Sequence, residues 1–171
     1  MTPIKAHQLA EPMPSELYWI DTPTPPKLAI MARPRAGDWL EDEIAHWQRS
    51  GVEIVVSLLE TDEVDELELV REAALCGASG IGFLSFPIPD RGLPADREAA
   101  RRFAKEIAAS GKVIAIHCRA GIGRSSLMAA VVLVGRGMSG AEALSAIEKA
   151  RGLPVPDTED QRTWIMALEG R

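Results

Sequence analysis

The sequence is short of cysteine, of aromatic residues and of long apolar runs. Its two cysteines, Cys76 and Cys118, lie in dissimilar contexts and are too few for a disulfide framework, so we expect a reducing, cytoplasmic setting. The longest apolar stretch, 127–134, is far below the ~20 residues that span a bilayer. The N-terminal MTPIKAHQLAEPMP lacks the apolar core of a signal peptide. These absences argue against disulfide scaffolds, secretion and membrane anchoring.

Positive charge is also scarce. Nineteen Lys and Arg against 25 Asp and Glu give a formal net charge of −6. Nucleic acids and anionic membranes require a broad basic surface, so neither is expected as the main partner. Any anion site in this chain must therefore be local.

The composition is that of one soluble domain. With 171 residues, 46% of them apolar and 26% charged, the chain can bury one self-supporting core. Segment 1–16 shows no periodicity, and we expect it to be loosely ordered. The rest, 17–171, should form a single domain, which we expect to be monomeric.

Apolar patterning predicts five strands. Three segments are continuously apolar, as in strands covered on both faces: 52–59, 81–88 and 112–118. Two shorter candidates precede them, at 16–20 and 27–32. Spacing and capping signals predict helices at 39–49 (behind Asp38 and Glu41), 63–75, Pro94 to before Gly111, 125–134, one capped by Ser139, and one from Asp157 to the end.

Strands that alternate with helices predict an α/β fold: a central, mostly parallel, twisted sheet of about five strands flanked by helices on both faces. In such sheets ligands bind beyond the carboxyl ends of the strands. The residues that follow predicted strands directly are Arg33, Arg35, Glu60, Asp90 and the loop that begins at Cys118.

The stretch HCRAGIGRSS, 117–126, joins the last predicted strand to an apolar helix. A short loop that curls back can point its backbone N–H groups inward, and glycine permits the dihedral angles of the curl. With the positive end of the next helix, those donors suit a tetrahedral dianion. The predicted phosphate-binding positions are Arg119, Ala120, Gly121, Ile122, Gly123 and Arg124.

Three side chains of this stretch are candidates for chemistry. The same electric field would keep Cys118 largely as a thiolate, a nucleophile beneath a bound phosphorus. The planar fork of Arg124 can bind two phosphate oxygens and tighten its grip in the transition state. Ser125 can donate a hydrogen bond to the sulfur. Without the rest of the motif, Cys118 could equally be a small buried residue at a strand end.

HCRAGIGRSS resembles the signature loop of the cysteine-dependent protein tyrosine phosphatases, His-Cys-x5-Arg-Ser/Thr, and most of all the small dual-specificity branch. The similarity extends from about Ile54 to Gln161. It implies a metal-free reaction through a phosphocysteine, with no cofactor, on a phosphorylated protein or a small phosphomonoester.

The resemblance also implies a general acid and a water-positioning residue. In FPIPDRGLP, Asp90 stands in the setting of the family's general acid. Such an acid is needed because an alkoxide leaves poorly without a proton. Asp96 is the second choice, although a helix cap explains it better. Gln161 matches the family's water-orienting glutamine or is only a helix-surface residue. Asp157 stands where larger members carry another glutamine.

Several candidates have simpler interpretations. His117 is predicted to orient the cysteine backbone rather than act as a base, and Arg119 to face solvent or substrate. Cys76 is predicted to be an inert helix residue. The acidic run 60–68 has the pattern of a solvated helix start, and no His/Cys grouping suggests a metal site.

The function predicted is a phosphomonoester hydrolase of the protein tyrosine or dual-specificity type. The larger tyrosine-specific enzymes that this loop resembles carry an extra recognition segment with an aromatic clamp. The chain has no evident equivalent, and Tyr18 is its only tyrosine, so we expect a shallower pocket for phosphotyrosine and phosphoserine/threonine. Two alternatives stay open: a phosphoinositide or inositol phosphate phosphatase, although loop lysines are lacking, and a phosphoprotein-binding module with weak or no turnover. A sulfurtransferase would need a loop of another size.

Overall fold

A computed structural model describes residues 14–168, and its sheet has five strands. They run in the spatial order β1-β2-β5-β3-β4, with β1 antiparallel to β2 and all other pairs parallel. The predicted mostly parallel sheet is thus confirmed. Its strands are β1 (Tyr18–Ile20), β2 (Leu28–Met31), β3 (Ile54–Ser57), β4 (Gly82–Ser85) and β5 (Ile114–His117).

The helices lie on both faces of this sheet, as predicted. In chain order they are a 3-10 turn at Gly37–Trp39, α1 (Leu40–Arg49), α2 (Thr61–Glu66), α3 (Glu72–Ala78), α4 (Arg97–Ala109), α5 (Arg124–Gly135), α6 (Gly140–Arg151) and α7 (Glu159–Met166). Within residues 14–168 none of them is long and apolar enough to cross a membrane.

Alternation along the strands divides the core into two clusters. On β5, Ile114 and Ile116 face the larger cluster, which includes α5, whereas Ala115 faces a smaller one around Trp47 of α1 and Cys76 of α3. Successive strand residues point to opposite faces, which is why one strand serves both clusters. Helix α5 is buried along its whole length from Arg124 to Val134, so it is the central helix of the larger cluster.

Three helix predictions need correction. The helix predicted at 63–75 is two short helices, α2 and α3, separated by a turn in which Glu68 has a φ of 56°. Helix α4 begins at Arg97 rather than Pro94, and Asp96 caps it by accepting the amides of Glu98 and Ala99. Asp38 makes no cap for α1, because a 3-10 turn precedes that helix.

The remaining differences concern chain ends and an edge. Strand β4 lies at the edge of the sheet and is largely exposed, whereas its apolar sequence predicted cover on both faces. Helix α7 is capped by Thr158, one residue after the predicted start. Segment 1–16 falls almost entirely outside the described residues; within it, the amide of Ser15 donates to Glu43 Oε1 at 2.9 Å.

Candidate active site

The site forms where the parallel strands end. His117, the last residue of β5, lies in register with Met31 of β2 and Ser57 of β3. The chain then runs from Cys118 through a tight loop into the first residue of α5, Arg124. We call residues 118–124 the phosphate loop. Its position at the carboxyl edge of the sheet matches the place where such folds bind ligands.

Cys118 lies at the bottom of this loop with only 3% of its surface exposed. Its Sγ is 3.4 Å from Ser125 Oγ. Burial alone raises the pKa of the Cys118 thiol, but hydrogen bonds from the Ser125 hydroxyl and from the amides of Ser125, Gly121 and Ile122 outweigh it, so the pKa lies below its ordinary value. The converging amides therefore stabilise a thiolate, the reactive form of cysteine.

Gly121 makes the curl of the loop possible. Its φ is +70°, and a Cβ at this position would lie 2.6 Å from both the amide nitrogen of Ala32 and the carbonyl carbon of Met31. Only glycine combines that dihedral angle with so close a backbone approach. The loop is thus pressed against the end of β2.

Arg151, the last residue of α6, braces the loop from outside. Its Nε donates to the carbonyl of Gly121 at 3.0 Å and its Nη2 to that of Ala120 at 3.5 Å. The guanidinium also stacks over Tyr18, 4.1 Å from the ring centroid. The C=O and N–H of one peptide point in opposite directions. Because these carbonyls point outward to Arg151, the N–H groups of the same peptides, those of Ile122 and Gly121, point toward the sulfur.

Arg124 is 98% buried in a network of acceptors; its side chain is only 2% exposed. Glu63 binds it with both carboxylate oxygens, at 2.6 Å to Nη1 and 2.9 Å to Nη2. Nη1 also donates to the carbonyl of Ile88 at 3.0 Å. Burial lowers the pKa of Arg124, but the hydrogen bond to Glu63 and the negative charges of Cys118, Glu63 and Asp90 outweigh that effect. The pKa is therefore raised, and the guanidinium remains charged.

Asp90 lies beside Arg124 on a different loop, residues 87–93, which we call the acid loop. Its Oδ1 is 3.1 Å from Arg124 Nη2, and half of its side chain is exposed. Arg91, the next residue, has a φ of 58° and forms a 3.6 Å ion pair with Asp157. The structure therefore brings Asp90 to the phosphate loop, whereas Asp96 is occupied in capping α4.

His117 is fully buried beneath the loop. Its Nε2 is 2.6 Å from Glu72 Oε1, and its Nδ1 is 3.2 Å from the carbonyl oxygen of Cys118. Burial lowers the pKa of His117, but the attraction of Glu72 and these hydrogen bonds more than compensate, so the pKa is raised. The contact with Cys118 agrees with the predicted orienting role and leaves no exposure for a base.

Gln161 is buried, not on a helix surface. Its Oε1 accepts the amides of Asp157 (3.1 Å) and Thr158 (3.2 Å), and its Nε2 donates to the carbonyl of Gly92 at 3.1 Å. A Cβ on Gly123 would lie 2.9 Å from that Oε1. Gln161 therefore caps α7, ties it to the acid loop and touches the phosphate loop. Its role toward water stays a prediction.

The acidic run 60–68 is not simply solvated. Glu63 is buried against Arg124, and Arg124 holds the pKa of Glu63 below its ordinary value despite the opposing effect of burial. Arg119 also turns to this run, with Nη2 3.2 Å from Glu66 Oε2 and Nε 3.7 Å from Glu63 Oε2. Arg119 thus faces protein carboxylates as well as solvent.

A cavity of about 180 Å³ opens above the sulfur, lined by Asp90, Arg91, Cys118, Arg119, Ala120, Gly123, Arg124 and Asp157. A larger cavity of about 540 Å³ lies between α4 and α5, but its lining contains no cysteine, serine or threonine and none of the residues that line the smaller cavity. The smaller cavity is the candidate active site. Among residues 14–168 no cluster of His, Cys, Asp and Glu could hold a metal ion.

Other residues chosen from the sequence lie outside this cavity. Arg35 pairs with the buried Glu43 at 2.8 Å. The amide of Arg33 donates to the carbonyl of Arg119 at 3.2 Å, while its side chain donates from Nη1 to the carbonyl of Pro34 at 3.2 Å. Glu60 is the N-cap of α2, and its amide donates to Glu63 Oε1 at 3.1 Å. Cys76 is buried with a free thiol, and burial with the charge of Glu72 raises its pKa to about 12.

The sequence reasoning missed three residues that hold the site together: Glu63, Glu72 and Arg151. Each is an ordinary charged residue near a helix end, where acids at the N-terminus and bases at the C-terminus need no special explanation. The spacing of the acidic run gave no signal for Glu63. Only the register of β3 and β5 could have placed α2 and α3 next to the phosphate loop.

Comparison with known proteins agrees with this geometry. The family model described as "Polymorphic toxin system, DSP-PTPase phosphatase" matches residues 29–138. No curated protein sequence matches the chain. A structure of the phosphatase Tk-PTP in its active form is 27% identical, covers 83% of this chain and 90% of its own, and gives a TM-score of 0.65.

Two further structures share the fold at lower identity. Kinase associated phosphatase, solved with its catalytic-site cysteine changed to serine, is 20% identical with a TM-score of 0.81, covering 91% of this chain and 94% of its own. TpbA of P. aeruginosa, solved with phosphotyrosine, is 20% identical with a TM-score of 0.60, covering 89% and 90%. The chain belongs to the DSP-PTPase phosphatase family of polymorphic toxin systems, within the cysteine-dependent protein tyrosine phosphatase superfamily.

Proposed function

We propose that this phosphatase hydrolyses phosphorylated protein side chains in two steps, with Cys118 as nucleophile and Asp90 as general acid. The observation that carries the proposal is the buried sulfur on which the Ser125 hydroxyl and the amides of Gly121, Ile122 and Ser125 converge, close enough to Arg124 for their charges to interact. A thiolate held among donors is placed both to attack phosphorus and to have the phosphate oxygens bound as it does so.

In the first step the thiolate of Cys118 forms an S–P bond while the P–O bond to the leaving group breaks. Asp90, protonated, gives its proton to the departing oxygen. In the second step water attacks phosphorus, Asp90 takes a proton from that water, and the S–P bond breaks. Inorganic phosphate and the thiolate of Cys118 are released, and Ser125 stabilises the returning thiolate.

The contacts of the guanidinium nitrogens of Arg124 support this scheme. Glu63 occupies one hydrogen of Nη1 and one of Nη2, which fixes the plane of the guanidinium. The remaining Nη2 contact is with Asp90, at 3.1 Å. A phosphate that binds the free edge, Nε and Nη2, would displace Asp90 from Arg124 and leave it near the leaving-group oxygen.

The charges around the cavity favour a substrate with one phosphate. Apart from Arg124, the cations that line it are Arg91 and Arg119, and each is paired with carboxylates: Arg91 with Asp157, Arg119 with Glu66 and Glu63. A phosphoinositide or inositol phosphate would need unpaired cations for its further phosphates. Phosphotyrosine and phosphoserine/threonine in proteins need none.

Hydrolysis of p-nitrophenyl phosphate by wild type, Cys118→Ser and Asp90→Asn tests the reaction. We expect turnover by wild type, none by Cys118→Ser and a reduced rate for Asp90→Asn. A wild type as inactive as Cys118→Ser would instead indicate a phosphoprotein-binding module. Phosphate release from phosphotyrosine peptides, phosphoserine peptides and phosphoinositide vesicles then tests the substrate class, and faster release from the vesicles would overturn it.

We further propose that the enzyme acts in the cytoplasm as a single chain. Both cysteines are free thiols, and thiols stay reduced most readily in a reducing compartment such as the cytoplasm. Every proposed catalytic group comes from one chain. Cell fractionation and the molecular mass in solution test these two points.

A further inference from the structure

The two-step reaction makes no use of the buried carboxylate of Glu72. Its Oε1 lies 2.6 Å from Nε2 of His117, and the two side chains are 2% and 0% exposed. Glu72 is the first residue of α3, on the face of the sheet opposite α5. A carboxylate in this place needs a reason, because burying a charge is costly unless it is paired.

Both ring nitrogens of His117 contact oxygen atoms. Nε2 contacts a carboxylate oxygen and Nδ1 contacts the carbonyl oxygen of Cys118, at 3.2 Å. A carbonyl oxygen and an ionised carboxylate only accept hydrogen bonds, and a ring that donates from both nitrogens satisfies both of them. An imidazole that donates from both nitrogens is an imidazolium.

The groups that face the His117 ring leave Glu72 as its counter-ion. On α3, one turn after Glu72, Cys76 stays a neutral thiol, since its pKa is raised to about 12. On α1, Trp47 stacks on the ring with centroids 6.5 Å apart. On the loop side stands Cys118 itself. The positive ring therefore lies between one carboxylate and the nucleophile.

We propose that Glu72 is a positioning residue, which holds the imidazolium of His117 so that Nδ1–H binds the Cys118 carbonyl and a positive charge lies next to the backbone of Cys118. This inference rests on the proposed role of Cys118 as the nucleophile. The pair is oriented with its positive end toward Cys118 and its negative end away from it. Such a dipole favours the thiolate and fixes the peptide at which the phosphate loop begins.

The test is the pH profile of Cys118 alkylation by iodoacetamide, measured in a Cys76→Ala background so that only one thiol remains. Glu72→Gln keeps the shape of the side chain but removes its charge. We expect alkylation about 5- to 10-fold slower at about pH 6, with equal rates at alkaline pH, because less thiolate is present on the acid side. A profile that coincides with the parent would overturn the proposal.

Glu43→Gln is the matched control. Glu43 is also a fully buried glutamate in an ion pair, but with Arg35 and away from the phosphate loop. Its replacement should lower stability without moving the alkylation profile. An equal shift in both variants would show a general effect of destabilisation and would also overturn the role of Glu72.

A second measurement needs no change at Glu72 and stands even if Glu72→Gln fails to fold. In a chain with His7→Gln and His46→Gln, His117 is the one remaining histidine. Its ¹⁵N shifts at about pH 7.5 should show both ring nitrogens protonated. A neutral ring, with the proton on Glu72, would refute the proposal.

Neither readout requires turnover. An inactive chain with the expected profile and ring shifts would refute the proposed hydrolase and leave the Glu72–His117 arrangement intact. An active chain with an unchanged profile would refute only the role of Glu72.

Discussion

The phosphate loop and the acid loop touch each other but are held in different ways. The phosphate loop is pressed onto β2 at Gly121, braced by Arg151 and followed by the buried Arg124, bound to Glu63. Most of the acid loop is exposed, and Asp90 is half exposed. The phosphate loop is therefore held in a frame of buried contacts, whereas the proposed proton donor lies on a more exposed loop that is tied down by Gln161 and by Arg124.

The largest effect is expected at Asp90. Asp90→Asn removes the proposed proton donor, so kcat/KM for an ester with a poor leaving group should fall about 10²–10⁴-fold. Because kcat/KM reports the first step, its loss should nearly vanish for an ester whose leaving group needs no proton, whereas kcat should stay reduced through the second step. Steady-state kinetics on a series of aryl phosphates measures this dependence.

Asp96→Asn is the control for that series. Asparagine caps a helix as well as aspartate does, so α4 should keep its N-terminus and the enzyme its rate. A loss confined to the Asp96 variant would make Asp96 the acid.

Glycine substitutions compare the two loops directly. Gly121→Ala forces a Cβ to within 2.6 Å of fixed backbone at a φ of +70° and should cost about 2–4 kcal/mol. Gly92→Ala brings a Cβ to 2.9 Å from the Cβ and the carbonyl oxygen of Pro89 in the same loop, but without a left-handed φ, and should cost about 1–2 kcal/mol. Urea unfolding of both variants measures the difference, and equal costs would contradict the stated difference between the two loops.

Glu63→Gln should weaken the frame in a pH-dependent way, with a loss of about 1–3 kcal/mol at neutral pH. The folded-state pKa of Glu63 is lowered from 4.5, so its contribution is complete above pH 4.5 and is lost as the pH falls through the folded pKa. The stabilities of wild type and variant should therefore converge in acid. Unfolding measured from neutral to acid pH tests this, and a constant difference would contradict it.

Arg151→Met should leave the fold intact but loosen the phosphate loop. It removes two hydrogen bonds to loop carbonyls, at about 0.5–1.5 kcal/mol each, so vanadate should bind about 5- to 150-fold less tightly. Arg136→Met is the matched control, because Arg136 also donates to a backbone carbonyl, that of Ala108, far from the loop. Equal inhibition constants for the two variants would contradict the bracing role.

The smallest effect is expected at Arg91. Its 3.6 Å ion pair with Asp157 is exposed on the arginine side, and such pairs contribute about 0–1 kcal/mol. Arg91→Ala should change stability by less than about 0.5 kcal/mol and KM by less than about twofold. A large rise in KM would instead make Arg91 a substrate contact on the acid loop.

The sequence was enough to predict the sheet, and several residues chosen from it, among them Cys118, Arg124 and Asp90, line the cavity. Buried strands that alternate with helices leave few arrangements, and the short segment from Cys118 to Arg124 can only join a strand to a helix as a tight turn. The exposed edge strand β4 was mispredicted because its apolar residues resemble those of a covered strand.

The supporting residues could not be predicted, because their partners are far away in the chain. Glu63 reaches Arg124 and Glu72 reaches His117 only after the strands have aligned in parallel. Gln161 is the opposite case. Its position was chosen from the sequence, but its side-chain amide is hydrogen-bonded to the N-terminus of α7 and to the carbonyl of Gly92. Sequence patterns over a few residues predict local structure, whereas the contacts of Glu63 and Glu72 join residues that are far apart in the chain.

Helix α5 is buried from its first residue to Val134, and that first residue is Arg124. The guanidinium that we propose to bind phosphate therefore extends from a helix that is packed in the hydrophobic core. A core substitution that shifts α5 would also shift Arg124. Substitutions along this helix are then expected to change the rate of the enzyme together with its stability.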